Sequence, residues 1–455
     1  MIFTLLLCCE AAALAPAQDA LPAGAGLAEQ DSLWSRPGQD WPGFLGPCRN
    51  GHSAETGLRF DWTERPPRLV WQYRVGEGYG SGSVADGRFY HFDRLRDQAR
   101  LLCLHAETGQ LLWQFEYDTD YRDLYGFDGG PRSSPLVEGG HVYIHGVEGM
   151  LHCLNARTGE PVWKLDTARR FGVIQNFFGA GSSPLVHGNR LIVMIGGSPP
   201  EAAALPPGQL DRVRPNGSGV VGFDKTSGEI LYTSGDDLAS YASPVIGELE
   251  GETVLLAMMR SGLHHFDPVS GESLGFFPHR ARKLESVNAS TPLLTAEGIL
   301  ITESYGPGGC LLPAARHISP DLEPRWSDAG QREKRLDCHW NTPVVLGDHA
   351  WASTGEKKSS AQLRCIRVRD GEIMWSEPGL TRSSLTAVDG HLICLTETGN
   401  LLALRADPRE MDVVGKIDRA QLGTVEPCWA APLVAHGYLY IRDRSRIYCL
   451  DIRQP

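Results

Sequence analysis

His339-Trp340-Asn341 is the tract of this 455-residue chain whose residue types read most like a site. A tryptophan in a polar loop exposes apolar area to no structural benefit, and the histidine and amide beside it offer hydrogen bonds in both directions. Arg132, His145, Asn176, Glu303, Glu426 and Trp429 are further candidates, all in polar stretches between apolar runs. Such a mixture of aromatic, amide and charged groups suits a polar ligand or a protein loop. It lacks the spacing of bond-breaking chemistry: no Gly-x-Ser-x-Gly, P-loop, His-Glu-x-x-His or Cys-x-x-Cys-His occurs. Cys338-His339 makes a poor metal pair, because adjacent residues in a strand point opposite ways. No catalytic residue and no metal ligand is assigned.

The elements that position these residues come from an internal repeat. The tract Arg132-Ser-Ser-Pro-Leu-Val-Glu-Gly-Gly-His-Val-Tyr-Ile144, followed by Gly149 to Trp163, returns in weaker form along almost the whole chain. Each unit opens on small polar residues, usually with a proline: Ser133-Ser134-Pro135, Ser182-Ser183-Pro184, Ala242-Ser243-Pro244 and so on to Ala430-Ala431-Pro432, eight openings in all. Proline cannot donate to a ladder and belongs at a strand's first residue. A Gly turn and an alternating strand follow, such as Val142-Tyr143-Ile144, then a second hairpin whose turn reads Thr158-Gly159-Glu160 or Ser227-Gly228-Glu229. Trp113, Trp163 and Trp375 close units, with Tyr232 as a stand-in, and their size suits packing between neighbouring units. A period of about 50 residues with several strands per unit is that of a propeller blade. The last unit stops at Pro455 without its closing strand, and Leu69–Val75 ahead of the first unit has the missing pattern. The expectation is an all-β, eight-bladed β-propeller over residues 69–455, closed by that N-terminal strand. Seven blades is the alternative, because the fifth unit is degenerate between Cys310 and Trp326. In such a ring the candidates fall in loops that lead into the innermost strands or follow the second strands, so they converge on one funnel mouth.

These units resemble the quinoprotein-type, PQQ-like propeller repeat, on the pattern Leu104-His105-Ala106-Glu107-Thr108-Gly109 to Trp113 and Leu154-Asn155-Ala156-Arg157-Thr158-Gly159 to Trp163. Trp41-Pro42-Gly43-Phe44-Leu45-Gly46-Pro47 resembles the lead-in of secreted bacterial PQQ-like propellers, so residues 41–68 are read as a lead-in. The resemblance implies a fold, and one fold carries many functions. For quinoprotein dehydrogenases it implies PQQ with Ca2+, a catalytic Asp and often a ring of vicinal cysteines. The only adjacent cysteines here are Cys8 and Cys9.

Met1 to Ala17 carries an apolar core ending in Ala15-Pro16-Ala17, the pattern of a secretory signal peptide, although its first residues lack Lys and Arg. The Ala/Gly/Pro-rich stretch over 18–40 reads as a flexible linker. Export to the periplasm or the exterior is expected, without lipoprotein anchoring, because Leu7 precedes Cys8 where a small residue is wanted. The apolar run is too short to span a bilayer. A net charge of −12 with no basic stripe excludes nucleic acid as a partner. Of eleven cysteines, Cys103, Cys153, Cys365 and Cys449 hold one repeat position in different blades, too far apart to bridge. Cys48, Cys310, Cys338 and Cys428 are read as loop cysteines that could supply one disulfide.

The leading functional expectation is a non-enzymatic cell-envelope scaffold that binds a protein or polysaccharide partner without a cofactor, similar to the outer-membrane barrel assembly propellers. One alternative is a PQQ-dependent dehydrogenase of alcohols or sugars with a divergent site. Another is a carbohydrate-binding propeller that stacks sugars on Trp340 and Trp429.

Overall fold

Small polar openings, Gly turns and β-branched strands fold each unit into one antiparallel four-stranded sheet. The computed structural model describes residues 32–284 and 288–454, and contains eight such sheets in chain order. Blade 1 comprises Ser83–Ala85, Arg88–Leu95, Gln98–His105 and Leu111–Asp118. Blade 8 comprises Leu433–Ala435, Tyr438–Arg442 and Arg446–Asp451, with Arg68–Arg74 as its outer strand. That last pairing is antiparallel and sets Trp71 opposite Cys449. The chain is therefore an eight-bladed propeller whose N-terminal strand completes the final blade. Seven blades is ruled out, because the fifth unit forms its own sheet, ending in the two-residue strand Trp326–Ser327.

Six of the eight outer strands lock onto the next blade through an aromatic residue. The indole N–H groups of Trp71, Trp163, Trp326 and Trp375 donate to the carbonyls of Ala106, Lys225, Val368 and Asp407 at 2.8, 3.2, 2.8 and 3.0 Å. Tyr232 Oη does the same to Pro268 at 3.2 Å. The rings of Trp71, Trp113 and Trp163 lie against the turn glycines Gly109, Gly159 and Gly228, where a Cβ would stand 2.5–2.8 Å from the ring. Those glycines thus serve twice, for a positive φ and for a flat seat. Behind the rings, Cys103, Cys153, Cys365 and Cys449 face Trp113, Trp163, Trp375 and Trp71 across the strand pair, where a small side chain leaves room for the indole. Cys310, Cys338 and Cys428 are unbridged, so the disulfide considered among Cys48, Cys310, Cys338 and Cys428 does not form among the described residues. Cys310 lies in the strand Gly308–Leu312 rather than in a loop.

Two joints lack the aromatic. Gly275 and Gly415 hold its place in blades 4 and 7, opposite His265 and Ala403. At the first, Ile318, from the long connection 313–325 of blade 5, pairs in parallel with Gly275. At the second, Phe60–Trp62 of the lead-in fills the space, and a Cβ on Gly415 would overlap the Phe60 carbonyl. Trp62 is fully buried among residues of blades 7 and 8.

On the inner side, the opening hydroxyls stitch the blades together. Ser134 N donates to Ser183 Oγ, Ser183 N to Ser243 Oγ, Ser243 N to Thr291 Oγ1 and Thr291 N to Thr342 Oγ1, at 2.9–3.2 Å. Ser383 N donates to Ser353 Oγ (2.9 Å), while Ser384 Oγ, Ser81 Oγ and Ser83 Oγ donate to the carbonyls of Trp429, Ala431 and Pro135. All eight joints are bridged in this way.

The lead-in then crosses the axial channel. Trp41 pairs with Val84 of blade 1, Pro42 O accepts from Val137 N of blade 2, Arg49 donates to Pro184 O ahead of blade 3, and His52–Ser53 runs parallel to Ala387–Val388 of blade 7. Residues 1–31, with the expected leader and most of the linker, lie outside the described residues. The stretch 32–40, read from sequence as linker, packs on the propeller instead: Leu33 N donates to Asp86 O, and Trp34 stacks on His436 at 3.8 Å. The docked chain therefore starts before Trp41, because an indole in this stretch finds an aromatic surface on blade 8.

The double use of the turn glycines can be measured. Gly159 and Gly140 share a φ of +77°, but nothing stands within 4 Å of a Cβ at Gly140. Gly159→Val should lower the stability by about 2–4 kcal/mol and Gly140→Val by about 1–3 kcal/mol. Urea midpoints that fall equally in the two variants would refute the ring seat.

Candidate functional site

The loops leading into the innermost strands ring a funnel whose floor is the lead-in. A cavity of about 240 Å³ lies there, bounded by Phe44 and Leu45 below and by residues ahead of all eight blades around it. Of the residues singled out from sequence, Arg132, His339, Trp340, Asn341 and Trp429 line it. His145 and Asn176 do not; they line a second cavity of about 430 Å³ between blades 2 and 3. Glu303 lines neither cavity: it is 2% exposed, and its carboxylate accepts from Ala281 N at 3.1 Å. Glu426 also lines neither, and pairs with Lys358 on the rim at 2.7 Å.

The funnel wall is an arc of aromatic rings. Tyr79 lies 4.6 Å from Trp429, Trp429 lies 4.9 Å from Trp340 and 6.0 Å from Phe127, and the arc continues through Phe178 at 5.6 Å to Tyr241 at 5.5 Å. Tyr241, Trp340 and Trp429 each stand immediately before a unit's opening triplet, so one repeat position supplies three of the six rings. That periodicity marks Tyr241 as a wall residue from sequence. Tyr79 and Phe178 were missed because they stand further from their openings.

Two guanidinium groups sit in this wall, both neutralised. Arg382 lies 4.3 Å over the Trp340 ring and grips Glu397 through two hydrogen bonds, at 2.6 and 3.0 Å. Trp429 Nε1 donates to the same carboxylate at 2.9 Å, which fixes the indole. Arg132 pairs with Asp123 at 2.8 Å, with Asp128 at 3.8 Å, and lies 5.3 Å over the Tyr79 ring. Burial, with the Arg382 charge adding to it, pulls His339 down to about 4, so it is neutral at pH 7 and shares a 2.6 Å hydrogen bond with Tyr305 Oη. Burial, with Asp128 adding to it, pushes Tyr79 up to about 12.

A family model described as outer membrane protein assembly factor BamB matches residues 97–377. The chain belongs to this family of PQQ-like propellers. Among solved structures, BamB from Moraxella catarrhalis superposes with a TM-score of 0.57 at 13% identity, over 85% of this chain and 98% of that one. A europium-containing methanol dehydrogenase gives 0.52 at 10% identity, over 89% of each chain. At such identities the likeness is one of fold. The serine/threonine-protein kinase AfsK of Streptomyces griseus is 27% identical over 110 residues, which are 23% of this chain and 13% of the kinase. Fold similarity thus extends to an assembly factor and an oxidoreductase alike, and the site has to decide between them.

The fold raises the question of PQQ, a tricarboxylate quinone held with a metal ion. Such a group calls for uncompensated cations and grouped oxygen donors. In this PQQ-like propeller both funnel guanidiniums already carry carboxylate partners. Among the described residues no three His, Cys, Asp or Glu side chains gather to hold a metal. The funnel side chains do not fit the cofactor and its ion.

Buried neutral histidines give the protein a distinct pH response. His145, His152, His265, His279 and His339 are each pulled down to about 4, chiefly by burial, and His91 further still. The unfolded chain takes up these protons near pH 6.5 and the native state only near pH 4, so native stability falls as the pH drops through that window. Asp337, pushed up to about 6 by burial, and Glu148, also raised by burial, oppose the trend, but they are fewer. The melting temperature should therefore fall between pH 6.5 and 4.5, before most carboxylates titrate. A flat profile there would contradict the buried neutral imidazoles.

Proposed function

We propose that this PQQ-like propeller is a non-enzymatic binding platform of the cell envelope, and that it holds a protein partner at the funnel mouth. The observation that carries this reading is the aromatic arc from Tyr79 to Tyr241 around an apolar floor, with Phe127 46% exposed at its lip. Clustered aromatic rings of this kind provide anchor sites for a protein partner. Membership of a family described as an outer membrane protein assembly factor supports the same class of role and an envelope setting. No helix among the described residues is long and apolar enough to cross a membrane. Sugar stacking on Trp340 is disfavoured because the Arg382 guanidinium occupies a face of that ring. Dehydrogenase chemistry is disfavoured by the funnel's paired charges.

Panning a displayed library of random peptides on the full chain should enrich sequences rich in aromatic and aliphatic residues. Phe127→Asp and Trp429→Ala should each reduce that enrichment at least about tenfold while the ring stays folded. The protein supplied with PQQ and Ca2+ should not reduce a dye at the expense of alcohols or sugars. Robust turnover, or enrichment indifferent to both substitutions, would end this reading.

A further inference from the structure

Most polar groups around the funnel cavity are consumed by the propeller itself. Ser183 and Ser243 accept the amides of the preceding blades, Ser81 and Ser384 donate to blade 8 carbonyls, and Asn341 Nδ2 donates to Ser353 O. Three nitrogens on lining residues remain without an acceptor among the described residues: Arg132 Nε, Trp340 Nε1 and His339 Nδ1. The first two can only donate. The third carries the ring proton when Nε2 accepts from Tyr305 Oη, which lies 2.6 Å away. A buried donor left unpaired has lost its water with nothing in return, so three around one cavity need an explanation. They also stand on opposite sides. Arg132 leads into blade 2 and His339–Trp340 into blade 6, and in a ring of eight those blades face each other.

The charges around these donors decide which acceptor fits. Arg132 faces Asp123 and Asp128, and Arg382 faces Glu397, so both cations that line the cavity are already paired. An incoming carboxylate would find no unpaired cation and would lose its water inside an apolar cavity. A neutral carbonyl would satisfy the same donors without that cost.

We infer that the funnel takes the uncharged amide carbonyls of an internal peptide segment, laid between Arg132 and the His339–Trp340 pair with an aromatic side chain against the arc, and discriminates against carboxylates. This assignment rests on the binding-platform reading above and gives that site its ligand chemistry. It also makes the funnel a reader of main-chain groups, with specificity left to the side chain that enters the arc.

Calorimetric titration of the full chain at pH 7 with N-acetyl-phenylalaninamide and with its free acid, N-acetyl-phenylalanine, tests the inference. The amide should bind about tenfold tighter than the acid. Trp340→Phe keeps the ring but removes the donor, and should weaken the amide about fivefold without changing the acid. His339→Phe, which removes a donor on the same side, provides a second variant should Trp340→Phe fail to fold. An acid that binds as tightly as the amide, or variants that fold and bind the amide unchanged, would overturn the inference while the platform reading stands. Absence of binding by either probe also overturns it, whereas the platform reading is judged by the peptide panning alone.

Discussion

The structure depends on one contact repeated at six of its eight joints, an aromatic ring from the outer strand of one blade laid on the second hairpin of the next. The contact combines a large apolar area with an indole N–H that reaches a carbonyl otherwise left at a turn. At most of these joints the turn residue under the ring has no side chain, so Gly109, Gly159 and Gly228 recur in step with Trp71, Trp113 and Trp163. The Trp71 contact is also what closes the ring, because it carries the outer strand of blade 8 onto blade 1. The inner hydroxyl bonds add direction to the packing and hold the loops of the funnel in register.

Where this contact is missing, the chain supplies a substitute, and one substitute shapes the site. Gly415 leaves a gap between blades 7 and 8 that Phe60 and Trp62 fill. A segment anchored there, and on blades 1, 2 and 3 further upstream, has to traverse the axis. Phe44 and Leu45 consequently close the funnel from below and turn an open channel into a cavity with an apolar floor. Joint packing and ligand geometry are in this sense the same problem solved by one stretch of chain.

Repetition explains what could be read from the sequence. The openings, the glycine turns and the closing tryptophans recur because the same contact is made at successive joints, so blade number and ring closure followed from counting them. Arg132, His339, Trp340, Asn341 and Trp429 came together because each precedes or begins an innermost strand. What escaped was whatever departs from the repeat. The role of Phe60 and Trp62 answers to a glycine more than 350 residues away, which no local pattern reveals. Cys310 was misplaced because the insertion 313–325 obscures the frame of its unit. Glu303 looked available at a strand end, but a distant loop brings Ala281 N to it. His145 and Asn176 went to a separate cavity between blades 2 and 3, which strand periodicity alone does not indicate.

The splice between Arg68–Arg74 and Arg446–Asp451 also governs how the molecule can be made. The first blade strand to leave a ribosome or a translocation channel finds its partner only after nearly 400 further residues have followed. Until then its apolar residues stay uncovered and the circle stays open, and contacts of such large sequence separation form slowly. The chain cannot mature progressively from its N-terminus as an open stack of repeats can. The wheel closes only once Arg446–Asp451 has emerged, and until then the waiting strand is an edge open to wrong partners.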